Sequence, residues 1–279
     1  PLGGIGSGCI GLSGNGHLVD WEIYNSANKG STNGYTHFAI RTEDSSGVKY
    51  RILKGDCPEP YTGFYRYDMK QGYTGYGWGT ESAYLSGLPH FRNHEFQGTF
   101  PVAKIVFSGE EEDFPLSAEL SAWSPFTPGC DRDSSMPCAI LEYTFRNIGK
   151  EPVKATAIGV LANPWWEKLH YNRLQGNRLS VYSGKPEDDL EHGMITLAVL
   201  EPEDKISGQE YWYRGGWVDA LEMYLNDINR GGRLPERTYP TGAEYTDLGT
   251  LATYFDLMPG EKKTVSFLLT WHYPNRENT

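Results

Sequence analysis

The chain has 279 residues, a formal net charge of -11, and 38% hydrophobic against 22% charged residues. That balance supports a real core and excludes a disordered chain. The acidic balance opposes phosphate backbones and anionic bilayers, and no apolar run reaches the ~20 residues of a membrane-spanning helix, so neither nucleic acid nor a transmembrane segment is expected.

Aromatics reach 14%, with 19 Tyr and 8 Trp, and such flat amphipathic rings suit both sandwich cores and surfaces that stack on sugars. The chain opens with glycine alternating with apolar residues. Ser13-Gly14-Asn15-Gly16 then marks a hairpin turn before Leu18–Tyr24,. Strict alternation would put Val19, Trp21 and Ile23 on one face and Leu18, Asp20, Glu22 and Tyr24 on the other. Thr36–Arg41 and Val48–Leu53 read as strands turned by Glu43–Gly47. Residues 58–98 are rich in Tyr, Gly and Pro and read as long ordered loops with short strands,.

Val102–Phe107, Leu116–Trp123, Ala139–Phe145, Val153–Leu161, Arg178–Tyr182 and Met194–Val199 continue the strand pattern,. Over 209–230 the period changes: Trp217, Leu221, Tyr224, Leu225 and Ile228 recur at helical spacing until Gly231-Gly232 stops them,. Gly249–Phe255 and Thr264–Trp271 read as a closing hairpin turned by Met258–Glu261. The expectation is a mainly β chain, a large antiparallel two-sheet β-sandwich of supersandwich type with one inserted helix.

Most motifs weaken under scrutiny. Gly6-Ser7-Gly8-Cys9-Ile10-Gly11 matches the glycine pattern of dinucleotide sites, but Ser13–Gly16 would break the helix that such a site needs. His90 and His94 have the spacing of a helical zinc pair, yet Pro89 opposes a helix and no third ligand follows. Neither a metal nor a cofactor is expected. Glu22, Asp131, Asp133, Glu142 and Glu167 are conceivable members of a hydrolytic carboxylate pair, which needs carboxyls about 5 Å apart for retention of configuration, but none carries a signature. Of the four cysteines, Cys130 and Cys138 flank a short loop and could close a disulfide. Trp165-Trp166 follows Asn163-Pro164. Adjacent side chains point to opposite sides, so one of the two is free to meet a sugar or a partner domain. Trp21, Glu22 and His272, at the two ends of the chain, complete the substrate or interface candidates.

Three stretches carry a family resemblance: PLGGIGSGCIGLSGNGHLVDWEIYN at the start, Ser124-Pro125-Phe126-Thr127-Pro128 followed by Asp133-Ser134-Ser135-Met136-Pro137 and then CAILEYTFRN in the centre, and LGTLATYFDLMPGEKKTVSFLLTWHYPNR at the end. In this order they resemble the N-terminal domain of glycoside hydrolase family 116, the bile-acid β-glucosidase or non-lysosomal glucosylceramidase group. The resemblance implies a retaining β-glycosidase. Residues 1–273 would form its N-terminal sandwich, and 274–279 would start a linker to a C-terminal α/α toroid. The catalytic carboxylates would lie in that toroid, so no catalytic residue is carried over to this chain.

The implied partners are that toroid and a β-linked glycoside. The implied role is to brace the toroid and shape the mouth of its active site. The alternative is a stand-alone carbohydrate-binding module. The cysteines tilt the expected location toward periplasm or extracellular space over cytoplasm.

Overall fold

The structure, a computed structural model, describes residues 1–56, 85, 87–108, 113–165, 170–213, 219–238 and 247–276. The opening residues form a hairpin of β1 (Cys9–Leu12) and β2 (Leu18–Glu22). There follow β3 (His37–Asp44), β4 (Gly47–Ile52), β5 (Asn93–Thr99), β6 (Val102–Ser108), β7 (Leu116–Trp123), a single helical turn α1 (Asp131–Ser134) and β8 (Cys138–Asn147). The second half holds β9 (Val153–Ala162), β10 (Tyr171–Gln175), β11 (Arg178–Tyr182), β12 (Met194–Val199), β13 (Ile206–Gln209), α2 (Asp219–Asn229), β14 (Leu248–Leu257) and β15 (Lys262–His272).

Two antiparallel sheets face each other. One has eight strands in the order β10-β11-β12-β15-β8-β7-β6-β5, the other five in the order β13-β14-β9-β3-β4. The side chains between them make the main core, where Phe38 lies 5.5 Å from Tyr143 and 5.0 Å from Phe267. Gly159 admits the smaller sheet to this contact, because a Cβ there would meet Leu197 at 2.8 Å,. The larger sheet outreaches the smaller. Beyond β4 the hairpin fills the gap, burying Ile10, Leu18, Trp21 and Ile23 in the same core.

Burial differs between the sheets as their sequences require. β8 and β15 alternate buried and solvent-facing residues, the signature of a sheet wetted on one side,. β9, VKATAIGVLA, is buried almost throughout. Its second face carries Ile158 and Val160 into a separate cluster with Tyr50, Trp212, Tyr224 and Ile228, which lies beneath α2. Tyr224 stacks on Trp212 at 4.0 Å. Arg41 locks the end of this helix by donating from Nε to the Ile228 carbonyl (2.8 Å), and Glu43 pairs with its guanidinium at 2.9 Å,.

Three readings change. The alternation in β2 breaks at Asp20, where φ is +50°. Cys9 pairs with Glu22 and Gly11 with Val19, so β2 carries one extra residue there, a bulge that turns Leu18 and Trp21 inward together,. The two final strands are not a hairpin: β14 pairs with β9 and β13, β15 with β8 and β12. The turn at Met258–Glu261 therefore crosses between layers. β14 is apolar on both faces and needs the doubly covered sheet, whereas β15 alternates. Asn147 staples the crossover, donating from Nδ2 to the carbonyls of Leu257 (3.0 Å) and Glu151 (2.8 Å). Finally, the described helix α2 covers Asp219–Asn229, and the helical reading does not hold at Gln209. Ile206–Gln209 before it is an edge strand, and Trp217 lies outside the described residues.

Candidate functional site

The strand connections gather at two poles. At one, β3, β8, β12 and β14 begin and β4, β7, β9 and β15 end. The opening loop sits at this pole and is tightly held. Gly3 N–H donates to Ser124 Oγ (2.7 Å), and the same hydroxyl donates to the Cys138 carbonyl (2.9 Å). Trp271 Nε1–H donates to the Ser7 carbonyl (2.7 Å), tying the loop to the last strand. Glycine is obligatory where backbones touch: a Cβ on Gly4 would lie 2.4 Å from the Ser135 carbonyl carbon,.

The loop's tip is apolar and uncovered. Ile5 is 66% exposed while its N–H donates to the Ser134 carbonyl. Gly4 packs on Ser135 and Met136, and Met136 is 41% exposed. Ser134 Oγ donates to the Thr127 carbonyl and accepts from the Thr127 N–H, each at 3.0 Å. Next to Thr127, Phe126 (46% exposed) meets Phe100 (78% exposed) edge-on at 5.3 Å. Ile5 and Met136 thus flank one side of the Ser134–Thr127 link, and Phe126 with Phe100 the other, so four exposed apolar residues gather on three joined loops. Singly scattered exposed apolar residues are ordinary, and several large ones gathered on joined loops are the kind of surface that contacts a partner.

The chain leaves the sandwich at the same pole. Asn25, held at φ +53°, donates from Nδ2 to the carbonyls of Tyr273 (3.0 Å) and Asn275 (2.8 Å). Asn275 Nδ2 donates in turn to the carbonyls of Glu187 (2.6 Å) and Asp189 (2.8 Å). Tyr273 packs edge-on against Tyr24 (5.0 Å) and beside Trp165 (5.8 Å). Burial pushes the hydroxyls of Tyr24 and Tyr273 above the ordinary phenol range, so both stay protonated,.

The residues singled out from the sequence fall on both sides of this surface. Trp21 is core, its indole N–H donating to the Leu18 carbonyl. Glu22 is half-buried and bonds Lys29 Nζ at 2.7 Å, and Asp20 lies 3.6 Å from the same ammonium. These two carboxylates converge on one cation, which does not set an acid against a nucleophile. Trp165 is buried against Tyr273, Trp166 lies outside the described residues, and His272 is exposed at the end of β15.

Cys130 precedes α1 and Cys138 is buried at the start of β8; both carry free thiols in this structure, and burial raises the Cys138 pKa. His90 pairs with Asp56 rather than with His94. Among the described residues no group of three His, Cys, Asp or Glu side chains could hold a metal, and no helix is long and apolar enough to cross a membrane.

Sequence reasoning missed the apolar patch and the asparagine lock. The available signals were Phe100 and Phe126, each beside proline in a loop where no strand could bury it.

The family model described as beta-glucosidase 2, glycosyl-hydrolase family 116 N-term, matches residues 1–279. The chain belongs to this family. A comparison with curated proteins gives no match. Among solved structures, a polysaccharide lyase aligns over 93% of this chain and 29% of its own, at 10% identity and a TM-score of 0.40. The galactosidase domain of an alpha-galactosidase-sucrose kinase aligns over 86% and 40%, at 10% identity and 0.31. The family 116 domain therefore spans well under half the length of each of these chains.

Proposed function

We propose that this family 116 domain is the non-catalytic N-terminal part of a retaining β-glycosidase of β-glucosidase or glucosylceramidase type. It braces a helical catalytic domain of the same polypeptide and helps to shape the mouth of its active site. The carrying observation is that Ile5, Met136, Phe126 and Phe100 are all exposed on loops stapled to one another at one pole. This is the pole where Asn25 fixes the departing chain. A following domain is thereby delivered beside apolar surface ready to be covered, as docked domains require.

The test is an Ile5→Asp/Phe126→Asp variant of the full-length polypeptide. Two buried charges at the contact would separate the domains. Aryl β-glucoside turnover is expected to fall at least about tenfold, a barrier change near 1.4 kcal/mol, and thermal unfolding to split into two transitions. The 279-residue chain alone should keep its own midpoint, because both side chains are already exposed there. Unchanged turnover with a single transition contradicts the proposal.

A further inference from the structure

The outer face of the eight-stranded sheet runs back from the docking pole, where Trp123 ends β7 beside Ser124, and it carries many short hydroxyl side chains. The register sets its rows. Trp123 lies opposite Ile140, and Ile140 opposite Leu268. In the next row Ser121 lies opposite Glu142, and Glu142 opposite Ser266. One row further, the hydroxyls of Thr144 and Thr264 bond each other at 2.8 Å, and on β11–β12 those of Ser180 and Thr196 do so at 2.7 Å. Short hydroxyl side chains thus share this face with charged ones: Lys104 lies opposite Ser121 and pairs with Glu119 at 3.9 Å, and Lys262 lies opposite Arg146.

We propose that Trp123, Glu142, Ser121 and Ser266 form a binding subsite for a neutral pyranose unit of an oligosaccharide. Trp123 is half-buried, and its Nε1–H donates to Glu142 Oε2 at 3.2 Å, which fixes the plane of the indole. Ser266 Oγ donates to Glu142 Oε1 at 3.4 Å, so the carboxylate is steadied from both sides. Carboxylate oxygens have further lone pairs to accept hydroxyl hydrogens. A sugar presents an apolar C–H face and a rim of hydroxyls. The ring face suits the first and the carboxylate with two serines the second, and both are already oriented, which lowers the ordering cost of binding. The subsite lies on rigid strands rather than on loops. It deepens the glycoside-hydrolase reading: substrate or product glycan would be held on this face, apart from the reaction.

Titration of the 279-residue chain with cellotetraose and with xylotetraose, followed by calorimetry and tryptophan fluorescence, tests this. Saturable binding to at least one sugar is expected. Trp123→Ala should weaken it at least about tenfold and Trp123→Phe less, while Glu142→Gln should weaken it by about three- to tenfold. Ser121→Arg lays a long charged side chain across the subsite without touching the core and should abolish binding even if Trp123→Ala disturbs the fold. No saturation with either sugar overturns the proposal. So does unaltered binding in Ser121→Arg, or protection of Trp123 from solvent in the sugar-free full-length polypeptide, which would show a protein covering the face. None of these outcomes bears on the pole, whose substitutions are read through turnover.

Discussion

The two sheets of this domain solve the same problem differently. The five-stranded sheet has both faces dry: one meets the larger sheet and the other lies under α2, where Trp212, Tyr224, Tyr50 and Ile158 are buried. The eight-stranded sheet has one dry face and one wet, and its wet face holds Ser121, Thr144, Thr196 and Ser266. The lesson is that stability concentrates in the covered sheet, leaving the open sheet and the pole loops free to carry surface roles.

The largest effect should come from emptying the covered side. Tyr224→Ala removes a ring stacked on Trp212 and a hydroxyl 3.0 Å from His37 Nε2. It should cost about 3–5 kcal/mol in urea unfolding. A loss below about 1 kcal/mol would break the comparison.

Acid should strike the same region next. His37 Nδ1–H donates to the Tyr35 carbonyl at 2.6 Å, which leaves Nε2 as an acceptor 3.0 Å from the hydroxyls of Tyr50 and Tyr224, themselves 3.3 Å apart. Burial lowers its pKa to about 4, and burial with the nearby Lys54 lowers that of His17 to about 3. Both are neutral in the fold and take up protons more readily when unfolded. Their contribution is therefore complete above pH 6.5 and is lost as pH falls from there toward 4 and 3. His37 alone should account for about 3 kcal/mol across that window, and His37→Gln should flatten the profile measured by urea unfolding against pH.

At the pole, Gly4→Ala should cost about 1–3 kcal/mol, because the new Cβ meets the Ser135 backbone,. Asn25→Ala should cost about 1 kcal/mol, through two lost hydrogen bonds and a left-handed backbone that alanine disfavours,. On the wet face, Thr144→Ala should stay within about 0.5 kcal/mol by the same measurement. A larger loss there would mean that the open sheet is less independent of the core than its burial indicates.

The strands were legible where composition and period agreed. β8 and β15 alternate cleanly, and the glycine-asparagine turn named the opening hairpin. What local pattern did not give was the third dimension. β14 and β15 adjoin in sequence, yet they belong to different sheets, and the clue was the doubly apolar face of β14 rather than the turn between them. The bulge at Asp20 hid because a single inserted residue leaves composition unchanged while reversing a face. Trp21 read from the sequence both as core and as a contact candidate, and its burial bears out the core reading. Ile5, Phe100, Phe126 and Met136 passed as ordinary loop residues, since their gathering on three joined loops is a property of the fold alone. The family, by contrast, was readable from three ordered stretches of sequence.

The most direct test of the docking account is hydroxyl-radical footprinting of the full-length polypeptide against the 279-residue chain. Phe100, Phe126 and Met136 should react readily in the short chain and be strongly protected in the long one, with Trp123 reacting equally in both. Equal reactivity of Phe100, Phe126 and Met136 in the two polypeptides would contradict it.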